Sequence, residues 1–540
     1  MKKILVIQNK KVLRRKNLLF YDEYLQSLYD NEKIVEKNYF YDLNYLKKIN
    51  YNSDLLHKKI SQYRSELYKI LNNIHNENIN EKNWGLILDK LIFFIVNPII
   101  VETFLLKKIL ISNKNLSVFQ EQFNSFYLNI SDFTNSYYTD NRFAYVRYVV
   151  AKNIGFSVIK NKKKIKKIKK KTFNSKESYF TIISRLLVSR YVKNFKPNLL
   201  INSYLGIENS ISIFFKSFGR VLCIPSKYIF NYNIPLTHKN LKVREKIAVK
   251  EKDFIDKIFN ILIKDFIPAS YLENFKQYYS IDKKTGIIPS LGSAVSIIYD
   301  DKFKFLSVKL LEKKKNIFSL QHGFIGKETK KSSVYDTIYQ KKYSSKVIDW
   351  YSKSSARENF FDKYKKYNFE PETRDKILIY PTTIMDRPNY KNNLSKKFHP
   401  YLNLNYNFFE TLNKDLKNKV SIKAFPNSEG KIKKFWFEKF KQRNLFIKNS
   451  KNIFHKFRIV VIDDISTPIC ELLYIGTPFI LIESEFQHFN KKTKKKILAL
   501  KKINILFENP IKAGDFLNKN YDNLNSWWNK TIKSKIYLSL

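Results

Sequence analysis

Cysteine is almost missing from this chain: two in 540 residues, Cys223 and Cys470. That excludes a disulfide framework, and their spacing excludes a cysteine-based zinc site. Both lie in apolar runs, so both are expected as buried core thiols in a reducing cytoplasm. Glycine is scarce at 11 residues, so any local pair of glycines stands out. The nicotinamide-dinucleotide fingerprint GxGxxG does not occur, and neither does the P-loop GxxxxGK[ST]. GxSxG and HExxH are missing as well. The N-terminus, MKKILVIQNKKVLRRKN, has too short an apolar run for a signal peptide and no small-residue cleavage site after it. It reads as a first strand. Long apolar runs are lacking too. Residues 91–101, LIFFIVNPIIV, are eleven in number, too few to span a bilayer as a helix, and are expected as a core helix. Residues 285–299 are uncharged but too polar and too broken by Gly and Pro to span.

Acidic residues are outnumbered, 48 against 100 Lys and Arg, for a formal net charge of +52. Such a balance invites a nucleic-acid reading. Here Lys is spread through the chain alongside abundant Asn, Ile, Tyr and Phe, the residues of AT-rich codons. Surface drift toward Lys explains that pattern, with attraction to a membrane surface or a polyanionic ligand as the functional alternative. Residues 160–171, KNKKKIKKIKKK, are the densest basic run, either a solvated loop or a contact for anionic headgroups or a pyrophosphate-bearing acceptor. The hydrophobic share of 44% can fill sizeable cores.

Strand and helix signals alternate over much of the chain. The region 54–111 is helical in pattern. From residue 198, NLLINSYLG gives a strand, 209–218 a helix closed by Gly219, and 220–224 another strand. A further strand, 316–320, ends in Gln321, His322 and Gly323. Beyond a polar linker the alternation becomes regular, with strands at 376–380, 420–425, 458–462, 479–482 and 504–507. Alternation of this length predicts parallel sheets with helices on both faces. The most informative unit is RIVVIDDISTPICELLYIGTPFILIE, 458–483. Its strand is followed by Ser466 and Thr467 as helix cap, Pro468 in the first turn and Gly476 just past the helix end. A helix N-terminus with hydroxyls beside free N–H groups is a ready phosphate site.

Four groups of residues fall in loops beyond strand ends, where such sheets bind ligands. The first is Gln321–Glu328, where His322 is placed as a base or as a hydrogen-bond donor to a phosphate, and Gly323 and Gly326 permit close approach of backbone to ligand. The second is Lys423 with Phe425, Pro426, Asn427, Ser428 and Gly430; Lys423 lies along its strand within reach of a phosphate. The third is Ser466, Thr467 and Glu471, the first two for a pyrophosphate and Glu471 for ribose hydroxyls. The fourth is Thr382, Thr383, Asp386 and Arg387, where Arg suits bidentate phosphate contact. Asp463 and Asp464 lack the partners of a metal site, so no metal is assigned. Each group also has a plain structural reading, as loop, turn or cap.

Taken together, the segments LLINSYLG (199–206), SLQHGFIGKE (319–328), DWY (349–351), YPTTIMDRPNY (380–390), SIKAFPNSEG (421–430) and VVIDDISTPICELLYIGTPFILIE (460–483) resemble the bacterial surface-carbohydrate transferases. This GT-B-like family is related to capsule-polysaccharide and wall-polymer transferases. The resemblance covers 198–507; the first ~195 residues match no pattern. Phe324 stands where the family carries a further Gly, and Lys423 with Phe425–Pro426–Asn427 stands where it carries Arg and a second basic residue. The resemblance implies an α/β protein with two Rossmann-like domains facing a cleft and a helical N-terminal elaboration. The boundaries expected are 1–365 for the acceptor-side domain, 366–375 for a linker, 376–508 for the nucleotide-donor domain, and 509–540 for a tail that packs back on the first domain. It implies a metal-independent glycosyltransferase acting from a nucleotide sugar on a glycan or lipid-linked acceptor, with no cofactor and no nucleic acid. His322 would be catalytic, with Gly323, Thr382, Thr383, Arg387, Lys423, Asn427, Ser466, Thr467 and Glu471 holding the donor. Its expected place is cytoplasmic, peripheral at the inner face of the cell membrane. Alternative readings are a CDP-activated polyol-phosphate transferase, a nucleotide-sugar epimerase, or a basic scaffold or nucleic-acid-binding protein.

Overall fold

A computed structural model of the chain describes residues 4–6, 18–20, 53–112, 115–123, 125–135, 142–160, 179–203, 205, 207–229, 238–285, 288–321, 335–348, 374–381, 398–423, 447, 453–463, 465, 467–483 and 490–533. The chain divides into two compact units. The first is Met1–Gln321 with Asp336–Asp349, and the second is His322–Tyr335 with Trp350–Leu540.

The first unit holds two parallel sheets. Strands β1 (Ile4–Val6), β2 (Leu18–Phe20), β3 (Ser117–Phe119) and β4 (Ser157–Ile159) make one, in the order β2-β1-β3-β4. The helical elaboration expected before residue 198 is present as α1 (Ser53–His75), α2 (Glu81–Ser112) and α3 (Arg142–Ile154). The parallel sheet beside it has three-residue strands, which leave almost no periodic signal in sequence. The apolar run 91–101 is part of the 32-residue helix α2, long and apolar enough by composition to cross a membrane. Its apolar window is wholly buried inside the protein, so it is a core helix. It also carries buried charges that bilayer lipid would not tolerate unpaired. Asp89 accepts from Arg64 Nη1 at 3.0 and 3.1 Å and from Lys342 at 2.9 Å, and Glu102 accepts from Arg147 at 3.0 Å.

Then come α4 (Tyr179–Phe195), β5 (Asn198–Ile201), α5 (Ile207–Lys216), β6 (Val221–Ile224), α6 (Phe254–Phe266), β7 (Ser290–Ser293), α7 (Asp301–Glu312), β8 (Asn316–Leu320), α8 (Tyr335–Tyr343) and β9 (Lys346–Ile348). Their sheet runs β6-β5-β7-β8-β9, all parallel. Gly219 takes the left-handed φ of +73° that ends α5's turn, as a glycine past a helix end should. Cys223 differs from expectation. It sits half-exposed on the edge strand β6, and partial burial pushes its thiol up to about 11. Helical residues at 241–245 and those from 254 do not form one continuous helix. Asp253 caps α6 with a reciprocal box to Asp256, which fixes a new helix start there.

The second unit is one parallel sheet, β11-β10-β12-β13-β14, from β10 (Ile377–Tyr380), β11 (Val420–Ile422), β12 (Ile459–Ile462), β13 (Phe479–Ile482) and β14 (Leu506–Phe507). Its helices include α9 (Phe398–Thr411), α10 (Thr467–Ile475), α11 (Pro510–Asn520) and α12 (Leu524–Lys533). Every residue of β12 and β13 is buried, the mark of central parallel strands covered on both faces. The stretch after 508, set apart above as a tail, builds part of this unit. Leu517, Tyr521 and Leu524 join the core beneath one face of the sheet, and Trp528 the core beneath the other. Trp528 Nε1 donates to the Gly476 carbonyl at 2.8 Å, which ties α12 to the end of α10.

Candidate functional site

Both five-stranded sheets share one strand order. Numbered within each sheet, it is 2-1-3-4-5. In such a sheet the chain leaves the first strand in one direction and later returns to its other side, which opens a crevice at the carboxyl ends between strands 1 and 3. In the second unit these are β10 and β12, with β11 beside β10.

Three of the residues singled out in sequence meet at this edge. Lys423 follows β11, and its backbone N–H donates to the Ile379 carbonyl at 3.1 Å. Its ammonium lies 5.7 Å from the centroid of the Tyr380 ring, at the end of β10. Thr467 opens α10 directly beyond β12, and Glu471 lies one turn further on. Gly476, at φ +82°, closes the helix, with its N–H on the Leu472 carbonyl at 2.9 Å. Ile469, Leu472 and Ile475 hold α10 against the core, so its start is fixed by buried side chains.

The electrostatics are mutual. Burial lowers the Lys423 pKa and the charge of Glu471 opposes that. Burial, then Glu471 and Asp463, push the Tyr380 hydroxyl up to about 12. Asp463 follows β12 fully buried, accepting from Asn405 Nδ2 of α9 at 2.5 Å. The result is a half-buried lysine within electrostatic reach of a carboxylate that lies one turn into a helix. A cation and free N–H groups attract phosphate, and a carboxylate accepts from hydroxyls. His322, Gly323, Thr382, Thr383, Arg387, Asn427 and Ser466 lie outside the described residues. Tyr380, Asp463 and Asn405 were not singled out as site residues. Asn405 sits mid-helix, where sequence offers no cue that it meets β12.

The first unit has a cavity of about 340 Å³ at the equivalent crevice, between β5 and β7. Asn202, Ser226 and Ser296 reach it from beyond β5, β6 and β7. Asn202 ties the three together: its Nδ2 donates to Ser296 Oγ at 2.9 Å and its Oδ1 accepts from Ser226 N at 3.1 Å. It does so at φ +51°, a left-handed conformation that Asn tolerates better than most residues. Asp300 caps α7 by accepting from Lys302 N and Phe303 N, and burial pushes its carboxyl up to about 6. Amide, hydroxyl and carboxyl groups of this kind bond hydroxylated ligands. The one cue in sequence was Asn202, a small polar residue directly after the short apolar strand β5.

Among the described residues, no group of three or more His, Cys, Asp or Glu is arranged to hold a metal.

The family follows from comparison with known proteins. A model of the LIC12162 family transferase matches residues 3–537. The chain belongs to that family. This transferase also matches a solved structure, a proposed UDP-N-acetylglucosamine 2-epimerase of Listeria monocytogenes. The two share 11% identity and a TM-score of 0.35, over 64% of this chain and 91% of that one. No curated protein matches the chain.

Proposed function

We propose that this transferase is a glycosyltransferase that moves a sugar from a nucleotide sugar to a bacterial surface glycan. The observation that supports the reading is the electrostatic pairing of Lys423 with Glu471 of α10, from strands that flank the switch point of the second unit's sheet. The donor diphosphate sits against Thr467 and the N-terminus of α10, where the helix dipole and Lys423 stabilise the negative charge that builds on the leaving group. Glu471 takes the ribose hydroxyls and keeps Lys423 protonated. His322 serves as base or as a hydrogen-bond donor to the phosphate, with Gly323, Thr382, Thr383, Arg387, Asn427 and Ser466 completing the donor site. The reaction needs no metal, because a lysine and a helix N-terminus supply the positive charge. The acceptor is a glycan or lipid-linked saccharide at the cytoplasmic face of the membrane.

Thermal-shift measurements with UDP, GDP and CDP test the donor. One of them should raise the melting temperature in the absence of added metal, and none doing so would sink the reading. CDP alone would favour polyol-phosphate transfer, and turnover of a nucleotide sugar without acceptor would favour an epimerase. In the transfer assay, a His322→Ala enzyme working at the parent rate would remove that residue from the chemistry.

A further inference from the structure

Exposed apolar side chains are concentrated in one place on the first unit. Of the thirteen large apolar residues that are exposed among the described residues, nine fall between 182 and 218. On α4, Ile182, Ile183, Leu186 and Leu187 recur at helical spacing on one face. Along α5 and the turn after it, Ile207, Ile211, Phe215 and Phe218 form a second stripe, with Phe218 92% exposed. No residue of α5 is buried, and all four residues of the edge strand β6 are half-exposed. The two helices are joined through Tyr191. Its ring stacks on Phe195 and lies 5.8 Å from that of Phe214, and its hydroxyl donates to the Gly219 carbonyl at 2.8 Å. The face is thus built, and its stripes have an order that an unfolded segment would lack.

Charge says what it fits. Residues 179–220 hold six Lys and Arg against one acid, Glu208. Arg190, Lys193 and Lys196 are exposed at the end of α4, and Lys216 and Arg220 at the end of α5. Apolar stripes flanked by cations are the composition of helices that lie in the interface of an anionic bilayer. A second copy of this chain would bring the same excess of positive charge against itself, which disfavours self-association through this face.

We propose that α4 and α5 form a docking face for an anionic lipid bilayer, with their aliphatic and Phe side chains in the acyl boundary and their Lys and Arg at the headgroups. This face is built from residues of the first unit and the proposed donor site from residues of the second, so the proposal stands or falls independently of which nucleotide binds. It also differs from the basic run 160–171 as the point of contact, because it supplies the apolar area that a basic run lacks.

Co-sedimentation of the full chain with vesicles of phosphatidylglycerol and phosphatidylcholine, or of phosphatidylcholine alone, tests it. The parent should partition onto the mixed vesicles, more weakly as salt is raised, and hardly onto phosphatidylcholine alone. Leu186→Gln with Phe215→Gln should reduce that partitioning at least tenfold while leaving the melting temperature and the nucleotide-induced shift intact. Lys193→Glu with Lys196→Glu should reduce it as well. A parent that ignores anionic vesicles overturns the proposal, as does a Leu186→Gln, Phe215→Gln protein that binds them undiminished. A parent dimer that this double variant dissociates would assign the face to a second copy instead.

Discussion

Lys423→Ala should lower kcat/KM for the nucleotide sugar by about 10- to 100-fold, the loss expected for one hydrogen bond to a charged group, on the order of 1.5–3 kcal/mol. The argument rests on how Lys423 is held. It is half-buried beside the Tyr380 ring, and burial already lowers its pKa against the pull of Glu471. A partly desolvated ammonium gains more from a phosphate than a hydrated one does. Lys423→Arg should restore only part of the activity, since a planar fork does not occupy the place of a point charge. Glu471→Gln should weaken donor binding too, because it removes the charge that keeps Lys423 protonated. With both changed, the loss should fall short of the product of the two single losses, because the residues act on each other. The pH dependence has a definite sign. The protonated lysine is the form that binds, and its pKa is lowered, so donor affinity should fall on the alkaline side earlier than for an ordinary lysine. Glu471→Gln should move that fall to still lower pH. Steady-state kinetics across pH measure all of this. An unchanged kcat/KM in Lys423→Ala would remove the lysine from the donor site.

Asp301→Ala should destabilise the protein by about 3–5 kcal/mol, the cost of leaving a buried charge and its donors without a partner. Asp301 is buried at the start of α7 and accepts from Ile130 N at 2.7 Å, Ser270 Oγ at 2.6 Å and Tyr271 Oη at 2.7 Å. Lys304, one turn on and fully buried, has its ammonium 4.0 Å away. Burial lowers that ammonium to about 8, with Asp301 the largest opposing influence. Removing the carboxylate therefore leaves three donors without their acceptor, and a buried ammonium held only by the Ile87 carbonyl and the Tyr271 hydroxyl, at a point where separate segments of the first unit converge. Adding Lys304→Met to Asp301→Ala should recover part of the loss, since it removes the orphaned charge. Urea denaturation followed by circular dichroism measures the effect. A shift of the single variant under about 1 kcal/mol would show that the network is dispensable.

The parts of this protein that were legible in sequence rest on short-range signals. Phe479–Ile482 is a four-residue apolar run bounded by Gly476, Thr477 and Pro478, and it is a strand with those limits. Pro468 and Gly476 bracket α10 because a missing N–H and a positive φ are each tolerated only at a helix end. β7 was not legible. It reads Ser-Leu-Gly-Ser, with no apolar run. It is central because Leu200 of its neighbour packs where a Cβ on Gly292 would lie, 2.5 Å from Leu200 Cδ2. No local propensity encodes a contact with a residue some ninety positions earlier.

The site divides in the same way. Sequence by itself determined that Thr467 and Glu471 follow a strand end, because a short apolar run is bounded by the polar residues next to it; it placed Lys423 within a strand over 420–425, whereas β11 ends at Ile422, just before it. That Lys423 and Glu471 share one electrostatic environment, and that Tyr380 feels both Glu471 and Asp463, was decided by strand order. β11 lies on one side of β10 and β12 on the other, and that order follows from long-range packing of helices on the sheet. The exposed stripes of α4 and α5 show the same limit from the opposite direction. An amphipathic pattern fixes that a helix has an apolar face, but only the neighbours that tertiary structure supplies, or withholds, decide whether water reaches it.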